Sequence, residues 1–160
     1  MNISEFCRIA LSATLLALLL PATTVAEDLI DHLEQKENYE VFIEILEETG
    51  LADEIEEGNP VTVLAPHDDA FEELPSQVMQ DWQDDPEPVR NIIEFHLIGE
   101  VLQADDIAGQ TSMPSIQGSE IYVHATGDDI VVNEATIVDR DIEFSNGILH
   151  TVDTVLLPRH

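Results

Sequence analysis

The sequence predicts a single α+β domain, and three observations predict it. Apolar residues recur at helical spacing between Glu27 and Glu57, and they alternate at strand spacing from Ile121 onward. Two apolar segments, Thr62 to Pro66 and Ile148 to Leu157, read as buried strands that run into a turn or a helix.

Leu29, Ile30 and Leu33 share one helical face, and Val41, Phe42, Ile45 and Leu46 form a second stripe that Gly50 can cap. A third helical segment, Leu51 to Glu57, ends at the loop signal Gly58-Asn59-Pro60. Val61 to Ala65 is a β-branched apolar run stopped by Pro66. Asp68 or Asp69 can cap the helix that follows, and Asp69 with Glu72 has the form of a capping box. Ala70, Phe71 and Leu74 face inward, and Pro75 ends that helix. Residues 76 to 88 are polar and proline-bearing, with one aromatic, Trp82, that serves either as a surface contact or as a plug over the core.

After Pro88 a helix resumes, with Ile92, Ile93, Phe95, His96 and Leu97 near one stripe and Gly99 at its end. Asp105 to Gly118 reads as loop. Ile121, Val123 and Ala125 alternate with Tyr122 and His124, and Gly127-Asp128-Asp129 turns the chain into Ile130 to Val132. Thr136 to Val138 and Ile142 to Phe144 are further short strands. Asn146-Gly147 is a hairpin signal because both residue types tolerate positive φ. It leads into strands at Ile148 to Val152 and Val155 to Leu157, closed by Pro158.

Residues 1–26 have the form of a secretory signal peptide. Arg8 precedes an apolar run from Ile9 to Leu20, Pro21 breaks the run, and Thr24-Val25-Ala26 offers small residues for cleavage. The run is shorter than the roughly 20 residues that span a bilayer, so no membrane insertion is expected after cleavage. Cys7 is the only cysteine and leaves with the signal, so residues 27–160 are expected to fold without a disulfide.

Acidic residues number 34 and basic residues 5, a formal charge of −29 that removing Glu5 and Arg8 leaves unchanged. Such a field excludes nucleic acid and anionic membrane surfaces as partners. The hydrophobic fraction of 44% is too high for a disordered acidic chain. Two readings of the charge follow. One is adaptation to high salt, which shortens the Debye length to about 3 Å at 1 M. The other is Ca²⁺ binding through Asp84-Asp85, Asp105-Asp106 and Asp128-Asp129, although no Asp-x-Asp-x-Asp-Gly loop is present.

Several separated motifs, in order and spacing, resemble the fasciclin (FAS1) domain family across nearly all of residues 27–160. They are Thr62-Val63-Leu64-Ala65-Pro66 with Asp69-Ala70-Phe71, Asn133-x-Ala135 before Ile137, Asp141-Ile142, and Asn146-Gly147-Ile148-Leu149-His150 with Asp153, Val155 and Leu156. The family's Tyr-His pair, associated with integrin-type adhesion in animal members, falls at Phe95-His96, where the tyrosine hydroxyl is lost. His67 stands where the family often has a small hydroxyl residue, which shifts capping to a neighbouring Asp. The resemblance implies a sandwich-like wedge of short strands with packed helices, and an extracellular, non-catalytic adhesion module. Its partners would be cell-surface or matrix protein or polysaccharide, and its location secreted, periplasmic or cell-surface. Thr62, Pro66, Asp69, Phe71, Asn146, Gly147, His150 and Asp153 would hold the scaffold, and Phe95, His96 and Trp82 are candidate contact residues.

No catalytic residue, cofactor or metal is expected. His96 and His150 lie on apolar faces, where a ring nitrogen bonded to a backbone group is the usual role; Asp153 or a backbone carbonyl could partner His150. Ser145, His150 and Asp153 are the residue types of a hydrolase triad but lack a Gly-x-Ser-x-Gly elbow. His67, His96, His124 and His150 are scattered, without a His-Glu-x-x-His zinc pattern. The alternative functions are a Ca²⁺-dependent structural adhesin and a small-ligand carrier or hydrolase with a cleft near His96 and His150. The ligand and the oligomeric state are not written in the sequence.

Overall fold

The computed structural model describes residues 27–158, so the expected signal segment lies outside the described residues. Three short helices come first among the described residues: α1 (Leu29–Glu34), α2 (Glu40–Thr49) and α3 (Leu51–Glu57). Gly50, at φ 70°, ends α2 in the left-handed region and turns the chain directly into α3. Strand β1 (Val61–Pro66) follows, then α4 (Asp68–Glu72), α5 (Ser76–Asp84) and α6 (Pro86–Phe95). The rest is β2 (Leu97–Ile98), α7 (Ala104–Ala108), β3 (Ser112–Pro114), β4 (Glu120–Thr126), β5 (Asp129–Val132), β6 (Ala135–Thr136), β7 (Ile142–Phe144) and β8 (Gly147–Val152).

The strands form two four-stranded sheets, ordered β2-β1-β8-β7 and β3-β4-β5-β6. β1 and β8 run parallel from Val61↔Gly147 to Pro66↔Val152, and the other pairs are antiparallel. This pair is the spine of the domain, buried on both faces as parallel strands usually are. Single bridges at Ile98↔Ser115 and Ile137↔Val152 tie the two sheets together, giving the wedge expected from the sequence.

Strand alternation divides the interior in two. Val61, Val63 and Ala65 of β1 and Leu149 of β8 face the helices, where they meet Leu33, Phe42, Leu46 and Ile93. Leu64 and Val152 face the second sheet and pack with Ile121, Ile130, Val132 and Met113. The segment after β8 then places Val155 in the first core and Leu156 in the second.

Several elements depart from the expected ones. Residues 76–84 are helical, and α6 starts at Pro86, not after Pro88. Asp85 caps α6 by accepting from the Glu87 N–H at 3.1 Å, and Pro86 is favoured at the first helical position because it has no N–H to leave unpaired. Leu97 and Ile98 leave the helix and pair with β1, and the stretch read as loop contains α7 and β3. Strand β6 stops at Thr136, and Val155 to Leu157 form no strand. Ala125, expected inside, is exposed.

Candidate functional site

The polar residues of the two signature segments sit between elements and join them. Thr62 is fully buried; its hydroxyl donates to the Glu100 carbonyl at 2.6 Å and accepts from the Leu102 N–H at 2.8 Å. It thereby holds the connection after β2 against β1. His96 ends α6, fully buried. Its Nδ1–H donates to the Ile92 carbonyl at 2.7 Å, and its Nε2 accepts from the Leu156 N–H at 2.9 Å. His150 has the opposite arrangement: Nε2–H donates to the Leu102 carbonyl at 2.8 Å and Nδ1 accepts from the Asp141 N–H at 3.2 Å. Both rings therefore have a donor and an acceptor nitrogen in use, which fixes each as neutral. Desolvation lowers the His96 pKa to about 4 against the raising effect of the Ile92 carbonyl, and burial likewise lowers that of His150.

Carboxylates and amides complete the set of joints. Asp141, at φ 54°, accepts from the Ala104 N–H at 2.7 Å and so caps α7 from 37 residues away. Asp68 accepts from the Val41 and Glu40 N–H groups at 2.9 and 3.3 Å, capping α2 rather than its own helix. The capping box expected from Asp69 is not formed: α4 begins at Asp68 with His67 in the cap position and no side-chain cap bond, and Asp69 is exposed. Asp153 accepts from the Thr136 N–H at 2.7 Å, not from His150. Asn133, at φ 54°, accepts from the Tyr122 N–H at 2.9 Å.

Asn146 and Gly147 hold their places for a different reason from the one expected. The left-handed positions among the described residues include neither. The hairpin loop is Ser145-Asn146, since Phe144 already pairs with Gly147. Asn146 Nδ2 donates to the Ile55 carbonyl at 2.6 Å and lies 3.1 Å from that of Gly58, pinning the α3–β1 turn. A Cβ on Gly147 would lie 1.8 Å from the Val61 carbonyl oxygen and 3.1 Å from Phe144 Cζ, so only glycine lets β8 approach β1 at this point.

The three candidate contact residues are inside. Phe95 is 1% exposed, His96 0% and Trp82 8%. A partner cannot grip Phe95 or His96 in this conformation. Trp82 plugs the helical core, with Nε1–H donating to Glu48 Oε2 at 3.2 Å and one edge lining a surface cleft. Pro66 and Phe71 are buried as scaffold residues. The histidines expected to be scattered are not brought together, and among the described residues no group of three or more His, Cys, Asp or Glu is placed to hold a metal ion. In two of the acidic pairs, Asp85 caps α6 and Asp106 closes a capping box on α7.

Sequence reasoning missed two features here. One is Tyr39, 2% exposed, whose ring packs edge-on against His67 at 5.0 Å. Burial raises its hydroxyl pKa; the hydroxyl lies by Thr151 yet completes no hydrogen bond of normal geometry. The other is the cleft beside Trp82, between α2 and α5. Met79 and Trp82, three residues apart, were its signal.

Residues 37–158 match the Fasciclin domain family. The chain is 26% identical over 137 residues to transforming growth factor-beta-induced protein ig-h3 of Sus scrofa, covering 85% of this chain and 20% of that one. It is 30% identical over 101 residues to cell surface glycolipoprotein MPB83 of Mycobacterium bovis, covering 63% of this chain and 45% of the relative. It thus spans between a fifth and a half of the length of these relatives. A FAS1 domain pair from the insect cell adhesion molecule fasciclin I superposes with a TM-score of 0.58 at 25% identity, over 72% of this chain and 44% of that one. Among the described residues no helix is long and apolar enough to cross a membrane.

Proposed function

Since this chain belongs to the fasciclin domain family, whose members are adhesion and cell-surface binding modules, we propose that it is a non-catalytic extracellular binding module. It engages cell-surface or matrix material, protein or polysaccharide. The observation that supports this reading is the internal use of the signature chemistry. Thr62, His96 and His150 are buried and use their polar atoms on backbone groups, and Asp153 accepts from the Thr136 N–H, so they serve a rigid platform rather than a reaction. The names of two similar proteins, a cell surface glycolipoprotein and a cell adhesion molecule, point the same way. Fold alone does not fix a partner, so the partner must be sought on the surface.

The acid surface belongs to the same proposal as an adaptation to salt. A charge of −29 on 160 residues destabilises the compact state by self-repulsion unless counterions screen it. The unfolding midpoint of the chain is expected to rise steeply as KCl goes from about 0.1 M to about 1 M, where the Debye length falls from about 10 to about 3 Å. Millimolar Ca²⁺ at fixed ionic strength should add nothing; stabilisation by Ca²⁺ and not by KCl would identify cation sites instead. Binding itself is tested by surface plasmon resonance of the chain over immobilised collagen, gelatin, cellulose and chitin in molar NaCl. Saturable retention on at least one, with the immobilised material unchanged, supports the reading. Absence of retention on all four, or turnover of any, contradicts it.

A further inference from the structure

We propose that the cleft between α2 and α5 is a docking groove for a protein segment whose apolar side chains are bordered by lysine or arginine. This rests on the binding-module reading above and supplies its site. Both helices lean on α6, and the space left between them is a cleft of about 540 Å³ that continues past Val41 and Met79 into a second of about 440 Å³ beside α4. The floor is apolar: Val41, Phe71, Leu74, Met79 and the edge of Trp82. The rim is acidic: Glu40, Glu44 and Glu48 from α2 and Glu72 from α4.

The rim has a structural cost that an occupant would relieve. Glu40, Glu44 and Glu48 follow one another at four-residue spacing on α2, and like charges at that spacing destabilise a helix. The ion pairs among the described residues engage Glu27, Asp139, Glu54 and Glu94, so Glu40, Glu44 and Glu72 have no ion-pair partner among the described residues. Glu48 is already turned to Trp82. An apolar floor with a row of unpaired carboxylates along one wall fits an amphipathic helix whose apolar stripe enters the groove while its basic flank meets the row. The rim carboxylates are exposed, so both the repulsion along α2 and the contacts that relieve it are screened by salt, and binding is expected to be tighter at about 0.1 M than at about 1 M salt. The length of α2, 10 residues, sets the length of segment it can line.

Trp82 is the only tryptophan and lies in the groove wall, so its fluorescence reports occupancy of this site alone. The test titrates the full chain with an amphipathic Leu/Lys peptide of about ten residues, the span of α2, and with a Leu/Glu peptide of the same pattern. The expected result is a saturable shift of Trp82 emission with the Leu/Lys peptide only. The triple substitution Glu40→Gln, Glu44→Gln, Glu72→Gln should weaken binding at least about tenfold. The triple Glu57→Gln, Glu120→Gln, Glu143→Gln, exposed acids elsewhere, should not. No shift with the Leu/Lys peptide, equal binding of the Leu/Glu peptide, or equal weakening by the two triples would overturn the proposal. The same variants on the collagen, gelatin, cellulose and chitin surfaces separate the two readings. Retention on a surface with no saturable response to the Leu/Lys peptide removes the groove and leaves the binding module, whereas peptide binding without retention on any surface removes the module and leaves the groove.

Discussion

Gly147→Ala is expected to destabilise the domain by at least about 3 kcal/mol, the upper end of what overpacking usually costs. The added Cβ would fall 1.8 Å from the Val61 carbonyl oxygen, a backbone atom that cannot swing aside. Strands β1 and β8 would have to separate at the first pair of their parallel ladder, where the Val61 N–H also donates to the Asn146 carbonyl at 3.1 Å. The internal comparison is Gly127→Ala. Gly127 has open space around it and is glycine because its φ is 62°, so that change should cost about 1–2 kcal/mol. Urea unfolding of both variants decides the point. A smaller cost at Gly147 than at Gly127 would mean that the close strand approach is not what the position protects.

The second large effect is at His96. His96→Gln is expected to cost about 1–3 kcal/mol at pH 7, because a shorter side chain cannot serve both the Ile92 carbonyl and the Leu156 N–H and leaves a buried group unpaired. The cost should shrink on acidification. The folded-state pKa of about 4 lies below the ordinary 6.5, so between those values the unfolded chain binds a proton that the folded chain refuses. The parent's stability from this ring is complete above pH 6.5, declines as pH falls, and is gone by about pH 4. At about 1.4 kcal/mol per unit that is a loss of about 3 kcal/mol. Protonation of the many surface carboxylates acts in the opposite sense, by relieving repulsion, but it acts on parent and variant alike. The stability curves of the two proteins should therefore converge from pH 7 to pH 4. Parallel curves would show that the ring has the same affinity for a proton folded and unfolded.

What the sequence disclosed, and what it hid, follows from the range of the interactions concerned. The α2 stripe of Phe42, Ile45 and Leu46 and the β1 run were legible because periodicity is local. Helix α5 was not, because its apolar residues Val78, Met79 and Trp82 are few among polar ones and the prolines at 75, 86 and 88 give the stretch the look of a loop. Strands β2 and β3, two and three residues long, exist only through their partners β1 and β4. The positive φ expected at Gly147 is absent, since a Gly that admits a neighbouring backbone looks the same in sequence as a Gly that turns the chain. The joints made by Asp68 and Asp141 were hidden altogether. Each caps a helix 27 or more residues away, and local pattern assigns a capping residue only to the helix beside it. Phe95 and His96 came from the family resemblance and Trp82 from its place as the one aromatic of a polar segment; the burial of the first two moves the search for a partner to the α2–α5 cleft beside the third.

The measurement that bears most directly on the scaffold account is a long-range ¹H–¹⁵N spectrum of the histidine rings at pH 6. It reads which ring nitrogen carries the proton. The account predicts two neutral rings of opposite tautomer that do not average: His96 protonated at Nδ1 and His150 at Nε2, each assigned by loss of its signals in the corresponding Gln variant. An imidazolium pattern, or averaged tautomers, at either ring would contradict it, because a ring that exchanges its proton with water is not a fixed joint and is free to meet a ligand.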